Sequence, residues 1–249
     1  MSKPTRVSST LTSEQREILH RVRIHLISKK YNTNPLFDDW KLLRFCRSRD
    51  WIFADIAEML DHLIEFREEH RIDTLWAHED IPRIKETAAT FMDEYVMCTD
   101  KLGRPVIYQN YSKFEKEKLF NITIDQWLRY TCYKIENIVN CAMPVLSKLQ
   151  NRPVEELVMI VDLKGAGIMK FTNKEVRAYM GRGFGIGNFY YPQTMGRCFI
   201  INAPYTFTAL WAVAKIWLDD GTQKKITILR NKYSKELLEE ISGSVPKLF

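Results

Sequence analysis

The residues that most often carry catalysis or bind metals are scattered through this sequence. The five cysteines, at 46, 98, 132, 141 and 198, show no CxxC or other ligand spacing, and their odd number favours reduced thiols over disulfides. All five histidines lie within residues 20–78. There is no GxSxG motif, no HExxH motif and no phosphate-binding loop that ends in Gly-Lys-Ser/Thr. We therefore predict a protein that is not an enzyme and that holds neither a metal ion nor an organic cofactor.

One glycine-rich stretch, GRGFGIG at 181–187, resembles a nucleotide-binding loop only in composition. It lacks the GxGxxG spacing directly after a strand, so dinucleotide binding is not predicted. Loosening of a helix end is the expected role of these glycines. The formal net charge of +6 suits an anionic membrane surface as well as it suits nucleic acid, and we do not expect nucleic acid as a partner.

The segment 205–218 is more apolar than a surface helix should be, since Lys215 is its only charged residue. The residues expected on one helical face are Phe207, Leu210, Trp211, Ala214 and Leu218, and Ala209, Val213, Ile216 and Trp217 cover much of the remainder. Such a helix lies either inside a protein core or between protein and another apolar phase such as acyl chains. The cations that follow, Lys224, Lys225, Arg230 and Lys232, suit an anionic lipid interface.

Hydrophobic periodicity predicts the elements that position this segment. Residues 1–92 read as a helical subdomain, with Thr12 and Gln15 as a capping box and Asp38 or Asp39 as a second cap. In residues 93–249, strand patterns at 95–98, 106–108, 157–161, 198–201 and 226–229 alternate with helical patterns, the longest at 125–149. Long crossovers between strands predict an α/β fold with a mostly parallel sheet that is flanked by helices.

The sequence shows no targeting or membrane-spanning segment. No stretch reaches the roughly 20 apolar residues that a spanning helix needs, and residues 1–30 lack a signal-peptide apolar region. We therefore expect a cytoplasmic protein that associates only transiently with membranes, and we favour a monomer.

Six short segments together resemble the CRAL-TRIO lipid-binding domain family, in the branch of the yeast phosphatidylinositol transfer protein. They are LLRFCRSR at 42–49, DKLGRPV at 100–106, VDLKG at 161–165, NFYYP at 188–192, MGR at 195–197 and IINAP at 200–204. They occur in the order found in the family and cover nearly the whole chain.

The resemblance implies that the sheet and the segment 205–218 enclose an apolar cavity for one phospholipid. The segment is expected to swing outward at a membrane as a gating helix, with Trp211 facing outward into lipid. Its implied gating residues are Phe207, Leu210, Trp211, Ala214, Trp217 and Leu218. The implied cavity residues are Tyr108, Tyr130, Tyr133, Met159, Val161, Cys198, Ile200, Ile226 and Ile228.

Head-group residues match the family only in part. The resemblance implies phosphate contacts by Arg49, Thr222 and Lys225, and it places Gln193 where relatives have a carboxylate and Asp50 where they have a second basic residue. Phosphatidylinositol is the leading candidate, because apolar residues stand where choline-lipid relatives carry hydroxyl groups. A module that senses a lipid without transferring it stays open as the alternative.

Overall fold

Helices form the N-terminal part of the chain, as the periodicity predicted. In the computed structural model, which describes residues 11–31, 37–230 and 234–241, they are α1 (Ser13–Ser28), α2 (Asp39–Ser48) and α3 (Phe53–Glu69). The capping box at the start of α1 is present in both directions, with Thr12 and Gln15 each accepting a hydrogen bond of 3.1 Å from the other's backbone N–H. Of the two candidates for the second cap, the structure selects Asp38, which accepts from the Lys41 N–H at 3.0 Å.

The chain divides into two compact units between Asp73 and Thr74. A 3₁₀ helix (Ile72–Ala77) crosses this boundary, and α4 (Asp80–Ala89) follows it in the second unit. The domain boundary predicted at residue 92 lies between the end of α4 and the start of the sheet.

The second unit contains a five-stranded sheet whose strand order follows the sequence. Its strands are β1 (Asp93–Thr99), β2 (Pro105–Asn110), β3 (Leu157–Asp162), β4 (Met195–Ile201) and β5 (Ile226–Ile228). β1 and β2 form an antiparallel hairpin, and the other three pairs are parallel. All five predicted strands are present, and the mostly parallel sheet is confirmed.

Helices occupy every crossover between parallel strands. The β2–β3 crossover contains α5 (Lys116–Leu119), α6 (Ile124–Asn137), a π turn (Ile138–Ala142) and α7 (Met143–Leu149). The β3–β4 crossover contains a 3₁₀ helix (Ile168–Thr172) and α8 (Lys174–Tyr190). The β4–β5 crossover contains α9 (Phe207–Ala214), a 3₁₀ turn (Lys215–Trp217) and α10 (Asp220–Lys224), and α11 (Ser234–Ile241) comes after β5. The helix predicted at 125–149 is therefore α6 and α7, joined by the π turn.

The strand register sorts the side chains of the sheet onto two faces. We call one of them the inner face. It consists of two rows that run across all five strands, namely Val96, Ile107, Met159, Cys198 and Ile226, and then Glu94, Gln109, Val161, Ile200 and Ile228. The opposite face packs Val158, Ile160 and Phe199 with residues of α11. The crossover helices α6, α8 and α9 contribute to the apolar cluster on the inner face.

Candidate functional site

The apolar segment 205–218 packs its predicted face onto the inner face of the sheet. Phe207, Leu210 and Ala214 are buried, and the first two share a cluster with Cys198 and Ile200. The helix begins just after Pro204, whose carbonyl accepts the first turn bond from the Phe207 N–H at 2.9 Å. We call residues 205–218 the gate segment.

Trp211 does not face outward as expected, and the exposed large apolar residues of the gate segment are Tyr205 and Ile216. Trp211 is half-buried, stacks on Phe207 with ring centroids 6.4 Å apart and lines a pocket of about 110 Å³. Residues 207 and 211 are separated by about one helical turn and therefore share a side, whereas residue 216 lies about half a turn away. The Ile216 side chain is 73% exposed.

The C-terminal end of the gate segment is anchored on α8 through Trp217. Its indole stacks on Phe184, with ring centroids 5.9 Å apart. A Cβ atom at Gly181 would lie 3.5 Å from the indole, at van der Waals contact distance, so the indole lies beside the backbone of this glycine. Asn188 Nδ2 donates to the Trp217 carbonyl at 2.8 Å. The glycine-rich stretch therefore lies inside a continuous α8 and forms the surface that receives Trp217, rather than loosening a helix end.

The inner face is incompletely covered at its centre. Val158 and Ile160, on the opposite face of β3, are 0% and 2% exposed, yet Met159 and Val161 on the inner face of this same central strand are only half-buried. Further half-buried apolar residues pack around them, namely Tyr111, Trp127, Tyr133, Met180, Met195 and Ile226. We call this partly exposed apolar region, to which β3, β4, α6, α8 and the gate segment contribute, the cleft.

Most of the predicted cavity residues lie around the cleft. Besides Met159, Val161, Tyr133 and Ile226, the buried Tyr130, Cys198 and Ile200 belong to its apolar cluster, and burial raises the pKa of the Cys198 thiol to about 12. Ile228 continues the inner row and lines the pocket beside Trp211.

Tyr108 does not reach the cleft. The register pairs it with Ile160, which places its side chain on the opposite face. Its hydroxyl donates to Asp162 Oδ2 at 2.7 Å. Burial and this carboxylate together raise the pKa of Tyr108 to about 12.

The β1–β2 end of the inner face is polar, a feature that the sequence analysis missed. Glu94 and Gln109 continue the row of Val161 and are hydrogen-bonded to each other. Lys134 of α6 reaches this end, with Nζ 2.8 Å from Glu94 Oε2. The available signal was Glu94 immediately before the predicted strand at 95–98, in alternation with Val96.

Two of the four predicted head-group residues meet at the N-terminal ends of β4 and β5. Lys225 Nζ donates to Gln193 Oε1 at 3.2 Å and to the Met195 carbonyl at 2.9 Å. The Thr222 hydroxyl donates to Asp219 Oδ2 at 2.6 Å.

Arg49 lies in the first unit at the C-terminal cap of α2, where Nη1 donates to the Ser48 carbonyl at 3.0 Å. Among the other cations that follow the gate segment in the sequence, Lys224 is exposed and Arg230 stacks over the Tyr205 ring at 3.8 Å. Lys232 lies outside the described residues.

Comparison with known proteins assigns the second unit to a family. The profile of the CRAL/TRIO domain matches residues 93–249. The chain belongs to the CRAL/TRIO domain family. This confirms the resemblance found in the short segments of the sequence.

Two curated relatives extend the similarity of this CRAL/TRIO protein beyond the profile. It is 30% identical to the SEC14 cytosolic factor of Yarrowia lipolytica over 96% of the chain, and 32% identical to the phosphatidylinositol/phosphatidylcholine transfer protein SFH4 of Arabidopsis thaliana over 86%. The chain spans only 48% and 36% of the lengths of these two relatives.

A solved structure supports the fold of this CRAL/TRIO protein. The crystal structure of Sfh5 covers 92% of the chain with a TM-score of 0.70, and the match covers 83% of the Sfh5 chain. The identity is 14%, so the likeness concerns the fold alone.

Metal-ligand clusters and candidate membrane-spanning helices are both absent from the described residues of the CRAL/TRIO protein. Within residues 11–31, 37–230 and 234–241, no three potential metal ligands gather into a cluster. In the same ranges, no helix is both long enough and apolar enough to cross a bilayer.

Proposed function

We propose that this CRAL/TRIO protein encloses one phospholipid in the cleft and exchanges it at membranes. The observation that carries the proposal is the partial exposure of Met159 and Val161 in the central strand, where a fully packed sheet would bury both faces. The half-buried apolar side chains around them are aliphatic, thioether or aromatic, which is the surface that acyl chains require.

Enclosing a phospholipid requires the gate segment to move. Ligand pockets typically have volumes of roughly 300–1,000 Å³, whereas the pocket beside Trp211 measures about 110 Å³. Phe207 and Leu210 now occupy space against the inner face. Each acyl methylene that is withdrawn from water contributes about 0.8 kcal/mol. Burial of the acyl chains can therefore offset the loss of the Phe207 and Leu210 contacts when the gate segment shifts outward. The exposed Ile216 gives the segment an apolar surface for entering a membrane.

Phosphatidylinositol is the head group that we favour, as the leading candidate from the sequence. Lys225 and Gln193 place an ammonium group and an amide 3.2 Å apart, and together they offer charge-assisted and neutral hydrogen bonds to a phosphate or a sugar hydroxyl. The name of the Arabidopsis relative, which specifies phosphatidylinositol and phosphatidylcholine transfer, supports a glycerophospholipid. We propose a cytoplasmic protein that contacts the membrane transiently.

The test combines binding and transfer. The purified protein would be incubated with vesicles of mixed phosphatidylinositol and phosphatidylcholine, and native mass spectrometry would count the lipids bound per chain. Transfer of labelled lipid from donor to acceptor vesicles would then be followed. We expect one lipid per chain and catalytic transfer. A protein that loads no lipid would overturn the proposal, and one that binds lipid without transferring it would support the sensing module.

A lysine pair tests the head-group assignment. Lys225→Ala should lower the ratio of bound phosphatidylinositol to phosphatidylcholine about tenfold, because a charge-assisted hydrogen bond contributes roughly 1.5–3 kcal/mol. Lys224→Ala, at the exposed neighbouring position, is the matched control and should leave the ratio unchanged. An unchanged ratio in Lys225→Ala would remove this residue from the head-group site.

A further inference from the structure

An ammonium group of the protein itself lies at the polar end of the inner face. Lys134 Nζ is 2.8 Å from Glu94 Oε2, 5.5 Å from the centroid of the Trp127 ring and 5.2 Å from that of Tyr130. The two rings are tilted by 48°, with centroids 6.3 Å apart. The cation is thus held by one carboxylate and two aromatic faces.

This pair lies on the inner face beside the cleft and not on the outer surface. Glu94 shares an inner row with Val161, and Trp127 packs against the apolar cluster beneath the gate segment. The side chains of Lys134 and Glu94 are only 17% and 16% exposed. An ion pair in such an apolar setting loses more hydration than a surface pair. A pair of apolar residues would join α6 to β1 without this desolvation cost, so a purely structural role does not account for the ion pair.

The arrangement has the chemistry of a receptor for an organic cation. Aromatic faces combined with a carboxylate bind quaternary ammonium groups, because the ring quadrupole and the anion attract the charge while the rings cover the methyl groups. Here Lys134 already takes the position that such a group would occupy. A choline head group in the cleft would meet like charge at this place, whereas an anionic or hydroxyl-bearing lipid would not.

We propose that Lys134 is a specificity-determining residue that excludes quaternary-ammonium lipids from the cleft and leaves it to anionic glycerophospholipids. The inference rests on the proposed function, since it assumes that a lipid enters the cleft. It also makes a gain-of-function prediction. Removing the lysine ammonium should uncover a site formed by Trp127, Tyr130 and Glu94 that accepts choline.

The experiment measures which lipid is bound. Wild-type protein and Lys134→Met would be loaded from vesicles with equal amounts of phosphatidylcholine and phosphatidylinositol, and the bound lipids would be counted by native mass spectrometry. Lys134→Met should raise the ratio of bound phosphatidylcholine to phosphatidylinositol about tenfold, as expected for a desolvated cation on aromatic faces. Lys134→Arg, which keeps the positive charge, should retain the wild-type ratio. The double variant Lys134→Met with Glu94→Gln should lose the gain.

Lys113→Met is the matched control, because Lys113 also pairs with a β1 carboxylate, that of Asp93 at 2.9 Å, but with both side chains largely in solvent. Its lipid ratio should equal that of the wild type. If Lys134→Met does not fold, Lys134→Gln provides the same test, since it removes the charge and keeps a hydrogen-bonding group near Glu94. If a neutral variant binds lipid with the wild-type ratio of phosphatidylcholine to phosphatidylinositol, this inference is overturned and the proposed function is not. A wild-type protein that loads neither lipid overturns the proposed function instead.

Discussion

The gate segment should open more often when Trp217 is replaced by alanine. Replacing a fully buried tryptophan by alanine costs about 3–5 kcal/mol. Trp217 is half-buried, and it stacks on Phe184 beside the bare backbone of Gly181. We therefore expect a loss of about 2 kcal/mol, which includes the roughly 0.5–1.5 kcal/mol of an aromatic pair. The hydrogen bond from Asn188 to the backbone carbonyl of residue 217 should remain.

The loss should appear as local opening of the gate segment. If the gate segment separates from α8 as a local unit, the opening equilibrium increases about 30-fold, at 1.4 kcal/mol for each factor of ten. Amide hydrogen exchange in α9 should accelerate by this factor, and exchange in β3 should keep its wild-type rate. Release of bound lipid into acceptor vesicles should become faster in parallel. Ile216→Ala, which removes the exposed neighbouring side chain, serves as the control. It should leave amide hydrogen exchange unchanged in both α9 and β3.

Two results would contradict an anchoring role of Trp217. Equal acceleration in α9 and β3 would mean that Trp217 stabilises the whole unit and does not anchor a separate gate. Unchanged exchange in both elements would mean that the contact between Trp217 and α8 contributes no measurable free energy.

Two further predictions concern the membrane surface and the acid stability of the sheet. Ile216→Asp should lower lipid transfer at least tenfold with an unchanged unfolding temperature, because a carboxylate in hydrocarbon costs about 2.5–3.5 kcal/mol. Leu149→Asp, at a similarly exposed position of 67% on α7, should transfer normally, and equal losses in both variants would argue against a special role of the gate segment. For Asp162, burial opposes ionisation, but hydrogen bonds from Asn202 and Tyr108 hold the pKa below its ordinary value. A lowered pKa stabilises the fold above about pH 4, and this stabilisation is lost as the pH falls through the folded-state pKa. Asp162→Asn lacks the carboxylate, so its free energy of unfolding should fall less than that of the wild type between pH 7 and pH 3. Urea titrations at the two pH values measure this difference. An equal loss would contradict this assignment.

The sequence alone predicted the five strands, the N-terminal helices and the family. Strand patterns such as 157–161 and 198–201 stand out because a parallel strand with apolar neighbours on both faces reads as a continuous apolar run. Caps such as Thr12 with Gln15 are local, since all the atoms involved lie within one turn. The six segments of family resemblance likewise required no contact information.

Tertiary structure decided how the side chains are distributed around those elements. Whether Tyr108 faces the cleft depends on its register with Ile160, which lies more than fifty residues further along the chain. Whether Trp211 or Ile216 faces outward depends on which side of a nearly all-apolar helix packs on the sheet, and periodicity is weakest where almost every position is apolar. The ion pair between Glu94 and Lys134 joins a strand to a helix forty residues away. Local sequence determines which conformation a segment adopts, but only the folded chain brings distant side chains together, and the chemistry of the cleft depends on those long-range contacts.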